Sequence, residues 1–325
     1  MKLRRDSSRV TEGLTKDDEA GFRTAWDNLM AGLAPDDRNI IQQTVLLTNG
    51  LDTVLEKNVR QRLRLQPVMQ KEKISLIFRS KVSDSMLSSK KTSSTGPVVK
   101  SLDQLFAQAA GLQYFLIYKV QQWALMSHGC FPVDFGGGQL SFVPWESVAQ
   151  DPAGRSRVQW APLKSAERTL EKLLRSLHSD PSRLLDCCRQ RIVFSEPKHL
   201  LECLEAVRGD RDVRVLRAEN RLDEGFDSSV TAGYRDISLN LKIDTEETRQ
   251  LGIETHICEV RLGLVELERA SVSIRVSQIC FPPPYLSPKC RFNRLADIDN
   301  VFRISQTEHD RNIQSTMRSL LSKLC

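Results

Sequence analysis

The chain contains eight cysteines, at 130, 187, 188, 203, 258, 280, 290 and 325, but no CxxC pair. Cys187, Cys188, Cys203 and Cys258 sit in apolar-rich segments, so they read as reduced core thiols and argue against a disulfide scaffold or a zinc site. No apolar run approaches the ~20 residues that a membrane span needs. The opening stretch MKLRRDSSRVTEG lacks the apolar core of a secretory signal, and the acidic KDDE beginning at Lys16 does not suit a transit peptide. A soluble, cytoplasmic protein is expected, with organelle targeting left open. The five histidines, 128, 178, 199, 256 and 309, stand apart in sequence and read as surface or satisfied core residues. The GGG at 136–138 lacks the GK[ST] ending and the preceding strand of a phosphate loop, which makes it a connector.

What is present is ordinary globular material. Across 325 residues, 40% are hydrophobic and 27% charged, enough to build one large domain or two modest ones. A net charge of +6 suits anionic partners such as nucleotides and singles out no specific DNA partner.

Periodicity divides the chain. Residues 1–87 form an N-terminal helical region. One helix there is predicted from Thr15 to about Leu33, with Phe22, Trp26, Leu29, Met30 and Leu33 on one face, and a second runs from Asp36 through RQRLRL. The basic end of that second helix reads as a solvated terminus that suits the helix dipole. Residues 88–100 are a polar, Ser-rich linker. Residues 101–160 hold a helix from Leu102 to about Ser127, then a loop-rich connector. From 161 to 285, helix, strand, helix and three strands follow one another, which predicts an α+β or α/β sheet with helices against one face. After the proline-rich CFPPPYLSPKC, residues 286–325 end in a predicted C-terminal helix.

Within this tight region, TAGYRDISLNL alternates with a period of two. Tyr234, Asp236, Ser238, Asn240 and Lys242 fall on one side, and Arg235, Ile237, Leu239, Leu241 and Ile243 on the other. The polar side is either a wet face or a site. Other residues favour a site. Lys164, Arg168 and Lys172 are spaced by four on a predicted helix, Asp186 precedes a strand that Arg191 opens, and Glu259 lies inside an otherwise apolar strand, where an unpaired carboxylate is costly. Ile257, Glu259 and Arg261 share a side, so Glu259 and Arg261 can face the cleft together. Cations, two acids and an aromatic ring suit a magnesium-bound polyphosphate beside a base, because phosphoryl-type transfer is mainly positioning and charge neutralisation.

The ordered set K-x-x-x-R-x-x-x-K, DCCRQRIVF, GYRD and CEVRL resembles the synthetase domain of RelA/SpoT-type alarmone enzymes, and looks closest to divergent eukaryotic members. The resemblance runs from Leu163 to about Leu262. It implies a nucleotidyltransferase-like mixed β-sheet flanked by helices, and transfer of pyrophosphate from ATP to the 3′-hydroxyl of GTP, GDP or another acceptor. By position, Lys164 and Lys172 would meet ATP phosphates, with Arg168 and Arg261 adding nucleotide-binding charge. Asp186 and Glu259 would hold Mg²⁺, Arg191 would support the phosphates, Tyr234 would stack on the acceptor base, and Glu259 would act as general base. Pro162, Arg168, Ala232, Ser238, Arg261 and Gly263 depart from the family pattern, and NRLDEGFDSSVTA replaces its lysine-bearing loop. Those departures keep open a catalytically degenerate nucleotide-binding or scaffold module, and the long helical material before Gln150 with the predicted C-terminal helix keeps open a helical interaction protein built on this core.

Overall fold

The computed structural model of the chain describes residues 16–51, 59–64, 96–135 and 140–271. It is α+β, with helices flanking a mixed six-stranded sheet. The first two helices are α1 (Lys16–Gly32) and α2 (Pro35–Leu51). The long α3 (Leu102–Met126) begins at Ser101, whose side chain accepts from the Gln104 amide as an N-cap. It buries Leu105, Ala109, Leu112, Leu116, Val120 and Trp123. That is the 3.6-residue stripe expected from the sequence, ending within a residue of the predicted boundary.

After α3, a hairpin of β1 (Cys130–Asp134) and β2 (Leu140–Pro144) replaces the expected loop-rich connector. The short α4 (Trp145–Val148) and α5 (Pro152–Ser156) follow, then α6 (Ala166–Ser176), β3 (Arg189–Phe194), α7 (Pro197–Gly209), β4 (Val213–Asn220), β5 (Ile237–Ile243), α8 (Glu246–Leu251) and β6 (Cys258–Leu264). The strands lie in the order β2-β1-β3-β6-β5-β4, with β3 and β6 parallel and the other neighbours antiparallel. The hairpin was hidden because Pro132 and Pro144 weaken a strand pattern, and both are tolerated here near an edge of the sheet. Residues 130–144 therefore belong to the same sheet as the 161–285 region.

Register assigns each strand two faces. Arg189 stands opposite Glu259 and Arg191 opposite Arg261, while Asn240 and Ser238 pair with Glu259 and Arg261 from the other side. Residues directly opposite share a face, so these six form one polar surface. The reverse face carries Ile192, Phe194, Ile237, Leu239, Leu241, Val260 and Leu262, all buried in the core that α3 and α7 cover.

Elsewhere the sequence reading needs correction. The second helix is described as Pro35–Leu51, and residues 59–64, expected within it, are not helical, with Arg62 bridged to Val98. The predicted strand over GIETHICEVRLGL starts only at Cys258. Cys130, Cys187, Cys188, Cys203 and Cys258 are buried free thiols, as expected. The proline-rich break and the C-terminal helix lie outside the described residues. Among those described, no helix is long and apolar enough to cross a membrane.

Candidate functional site

Asp186 lies three residues ahead of β3, in the turn that leads into it. Lys164 and Lys172 both donate to its Oδ2, at 2.8 and 2.6 Å. They arrive by different routes. Lys172 is on the second turn of α6, whereas Lys164 precedes the N-cap Ser165 and is held by its own backbone, which donates to the Cys187 carbonyl at 3.0 Å. The buried Gln190 side chain, exchanging hydrogen bonds with both backbone groups of Ala161, pins the same approach segment. Arg168 does not join them. It is largely exposed and pairs with Glu171 within the helix, so the expected three-cation stripe supplies one helical lysine to the site and the second comes from outside the helix.

One carboxylate against two ammonium groups is an unbalanced arrangement. Burial alone would raise the Asp186 pKa, but Lys172 and Lys164 outweigh it and hold the group well below the usual carboxylate range. Burial lowers Lys164, with Asp186 opposing and Lys172 reinforcing the shift. The other carboxylate oxygen, Oδ1, is buried and has no partner among the described residues. A buried ionised oxygen without a donor is costly unless something cationic meets it.

Glu259 is the second residue of β6, next to β3. Its Oε1 accepts from Ser238 Oγ at 3.0 Å, and its backbone amide donates to the Cys188 carbonyl. The two acids thus lie at the same end of two adjacent parallel strands. Gln61 fastens that end together. Its Nε2 donates to the Leu184 carbonyl at 3.1 Å and the Ile257 carbonyl at 2.7 Å, and its Oε1 accepts from the Ile257 amide at 2.8 Å. Those anchors lie two residues before Asp186 and two before Glu259. Sequence reading put Gln61 on a solvated helix end. The detectable signal was one uncharged amide in a run of arginines.

The polar face does not end as a bare shelf. Gly233 has φ +83°, and a Cβ there would come within 2.8 Å of Phe22 Cβ and 2.9 Å of the Glu19 carbonyl, so α1 packs directly against it. Tyr234 follows and is 4% exposed. Its hydroxyl lies 2.8 Å from Glu268 Oε1 and 3.2 Å from Asp236 Oδ2, with one proton to donate between them. Phe22 meets its ring edge-on at 5.6 Å, and the Arg261 guanidinium lies over the ring at 4.8 Å. Stacking a base on Tyr234 would require Arg261 to leave.

The remaining cations here are paired as well. Arg261 donates to Asp236 Oδ2 and Arg221 to Asp236 Oδ1, each at 2.6 Å, while Arg191 pairs with Glu268. Burial would raise the Asp236 pKa, but Arg261 and Arg221 outweigh it and hold it down. Burial also pushes the Tyr234 phenol far up, so it stays a neutral donor. Glu268 escaped the sequence reading, although an acid among Leu264, Val265 and Leu267 was a visible anomaly.

No family model and no curated protein matches the chain. Among solved structures, it is similar to small alarmone synthetase 1 from Bacillus subtilis bound to its product pppGpp, at 13% identity over 68% of this chain and 96% of that one, with a TM-score of 0.38. A GTP pyrophosphokinase family protein from Streptococcus pneumoniae matches at 11% identity over 67% and 89%, with a TM-score of 0.35. Small alarmone synthetase 2 from Bacillus subtilis matches at 12% over 67% and 94%, with a TM-score of 0.34. These proteins come from the family that the motif order resembles.

Proposed function

We propose that the Asp186 end of the polar sheet face binds the polyphosphate of ATP, and that the protein transfers pyrophosphate from it to a hydroxyl, of a guanine nucleotide or of another 3′-hydroxyl acceptor. The observation that carries this reading is the Asp186 cluster: two ammonium groups on one buried carboxylate, with its second oxygen unpartnered. Lys164 and Lys172 would turn from Asp186 toward phosphate oxygens as the charge there rises.

Mg²⁺ fits this donor set. No group of three or more His, Cys, Asp or Glu side chains converges among the described residues. Mg²⁺ does not need one, since it is usually held by one or two carboxylates plus phosphates and water. Asp186 Oδ1 and Glu259 would hold the ion, which would neutralise phosphate charge when bound. Glu259 is the candidate base. It would accept the acceptor's hydroxyl proton as the oxygen bonds to the β-phosphorus of ATP. The bond from that phosphorus to the α,β-bridging oxygen breaks, and AMP departs with the electron pair.

Incubating the full chain with Mg²⁺, ATP labelled at the γ-phosphate and a panel of acceptors, GTP, GDP and bulk tRNA among them, tests the reading. Label on an acceptor is expected, falling by about a hundredfold or more in Glu259→Gln. Absence of transfer to every acceptor, or a Glu259→Gln protein as active as wild type, rejects it. Binding of ATP without turnover would favour the degenerate module, which the departures at Pro162, Ala232 and Gly263 also suit.

A further inference from the structure

Resting on that donor site, we infer that Glu268 makes the Tyr234 end of the polar face refuse an acceptor that carries a polyphosphate. Three arginines reach this end, and three carboxylates of the chain itself meet them. Arg191 pairs with Glu268, Arg261 and Arg221 with Asp236, and Arg221 also with Glu219 at 2.7 Å. Asp236 and Glu268 are at most 1% exposed, so water screens their charges little. The two ends of the sheet therefore differ in charge. Lys164, Lys172 and Arg189 outnumber Asp186 and Glu259 at the donor end, whereas at the Tyr234 end Glu268, Asp236 and Glu219 match Arg191, Arg261 and Arg221, with Glu219 also 3.7 Å from Arg217. A triphosphate brought to Arg191 and Arg261 would meet two fixed carboxylates, and like charges juxtaposed out of water disfavour binding strongly.

Glu268 is the decisive acid of the pair. Asp236 is held by two arginines, but Glu268 alone satisfies Arg191 and also accepts from the Tyr234 hydroxyl, and it reaches in from a separate helical segment at 265–271. Its backbone is tied to the sheet directly after β6, and its side chain lies over Gly263, where a Cβ would stand 3.3 Å from Glu268 Oε1. The acceptor that fits is a hydroxyl on a group with no phosphate chain beside it, such as an unphosphorylated nucleoside or the terminal sugar of a longer molecule.

Calorimetry on the full chain tests this. The donor site is first saturated with α,β-methylene-ATP and Mg²⁺, whose own isotherm reports that site, and GTP or guanosine is then titrated in. In wild type, GTP is expected to bind no tighter than guanosine. In Glu268→Gln, which keeps an acceptor for Tyr234 and Arg191, GTP affinity is expected to rise about tenfold or more, with the ATP analogue unchanged within about twofold. Wild type preferring GTP to guanosine by about tenfold or more overturns the inference, as does a folded Glu268→Gln protein that gains nothing. The wild-type arm decides the matter if the variant does not fold. Failure of the ATP analogue to bind removes the donor site itself, and the inference with it.

Discussion

A carboxylate moved out of water loses its hydration and recovers the loss only from partners, and Asp186 has two of them in Lys164 and Lys172. Removing its charge would leave two half-buried ammonium groups facing each other. Asp186→Asn is therefore expected to destabilise the protein by about 3 kcal/mol in urea unfolding, whatever it does to turnover. His256 is held in the opposite protonation state. It is fully buried, with Nδ1 at 3.5 Å from Gln108 Oε1 and Nε2 without a partner among the described residues, and burial pulls its pKa down to about 3. The folded protein thus keeps it neutral where the unfolded chain takes up a proton. Its contribution is present above the unfolded value near 6.5 and is lost as pH falls from there toward 3. Wild type is expected to lose about 2 kcal/mol to this group by pH 5, and urea titrations of His256→Gln should show a correspondingly flatter profile. The candidate site residues were proposed singly, Glu259 as a charge in an apolar strand, Lys164 and Lys172 by their spacing on a predicted helix, and Asp186 by its place before a strand. Their partners were not, because no local pattern says that Glu268 reaches Arg191.

At the scale of elements, two short contacts decide how the site is assembled. The left-handed backbone at Gly233 lets α1 dock against the start of β5 with no side chain between them. Gly233→Ala forces a Cβ against helix backbone and strains φ. We expect a loss of about 2 kcal/mol, with the amides of α1 showing the largest increase in hydrogen exchange. The extended segment 59–64 is the second contact. Gln61→Ala would strand the Leu184 carbonyl and both backbone groups of Ile257 in the interior, costing about 3 kcal/mol and loosening the Asp186 turn from β6. Guanidinium unfolding checks the first effect. A drop in ATP affinity larger than that of Arg60→Ala, an exposed-side neighbour, checks the second. Helices α1, α3, α6 and α7 were readable from their apolar stripes and caps. The 59–64 segment and the β1–β2 hairpin were not, because an arginine-rich run and a proline-containing strand resemble helix end and loop until neighbours supply their hydrogen bonds.

For the whole molecule, the sheet joins segments that composition separates. Cys130 in β1 pairs with Val193 in β3, and α3 packs on β3 and α7 in one core with the apolar residues of β5 and β6. Lys119 and Trp123 of α3 also hold Asp210 in the turn between α7 and β4. Residues 161–285 therefore keep α7 but lack α3, the longest helix of that core. Expressed alone, that fragment is expected not to give a cooperative thermal transition, whereas a chain containing residues 16–285, which keeps α1, α2 and Gln61 as well as α3, is expected to keep one. A well-folded 161–285 fragment would show that the hairpin and α3 are dispensable.

Amphipathic period, cap residues and the spacing of charged positions are local properties, and through them the sequence by itself determined the helices, the alternating strand at 237–243, the reduced thiols and the four-motif resemblance. Pairing between residues far apart in the chain is not local. Tertiary structure alone decided that Lys164 meets Asp186 from outside a helix, that Gln61 joins the segment before Asp186 to the start of β6, and that Tyr234 lies beneath Arg261. A buried charge takes whichever partner the packed chain brings within about 3 Å, and that partner has no fixed distance in sequence.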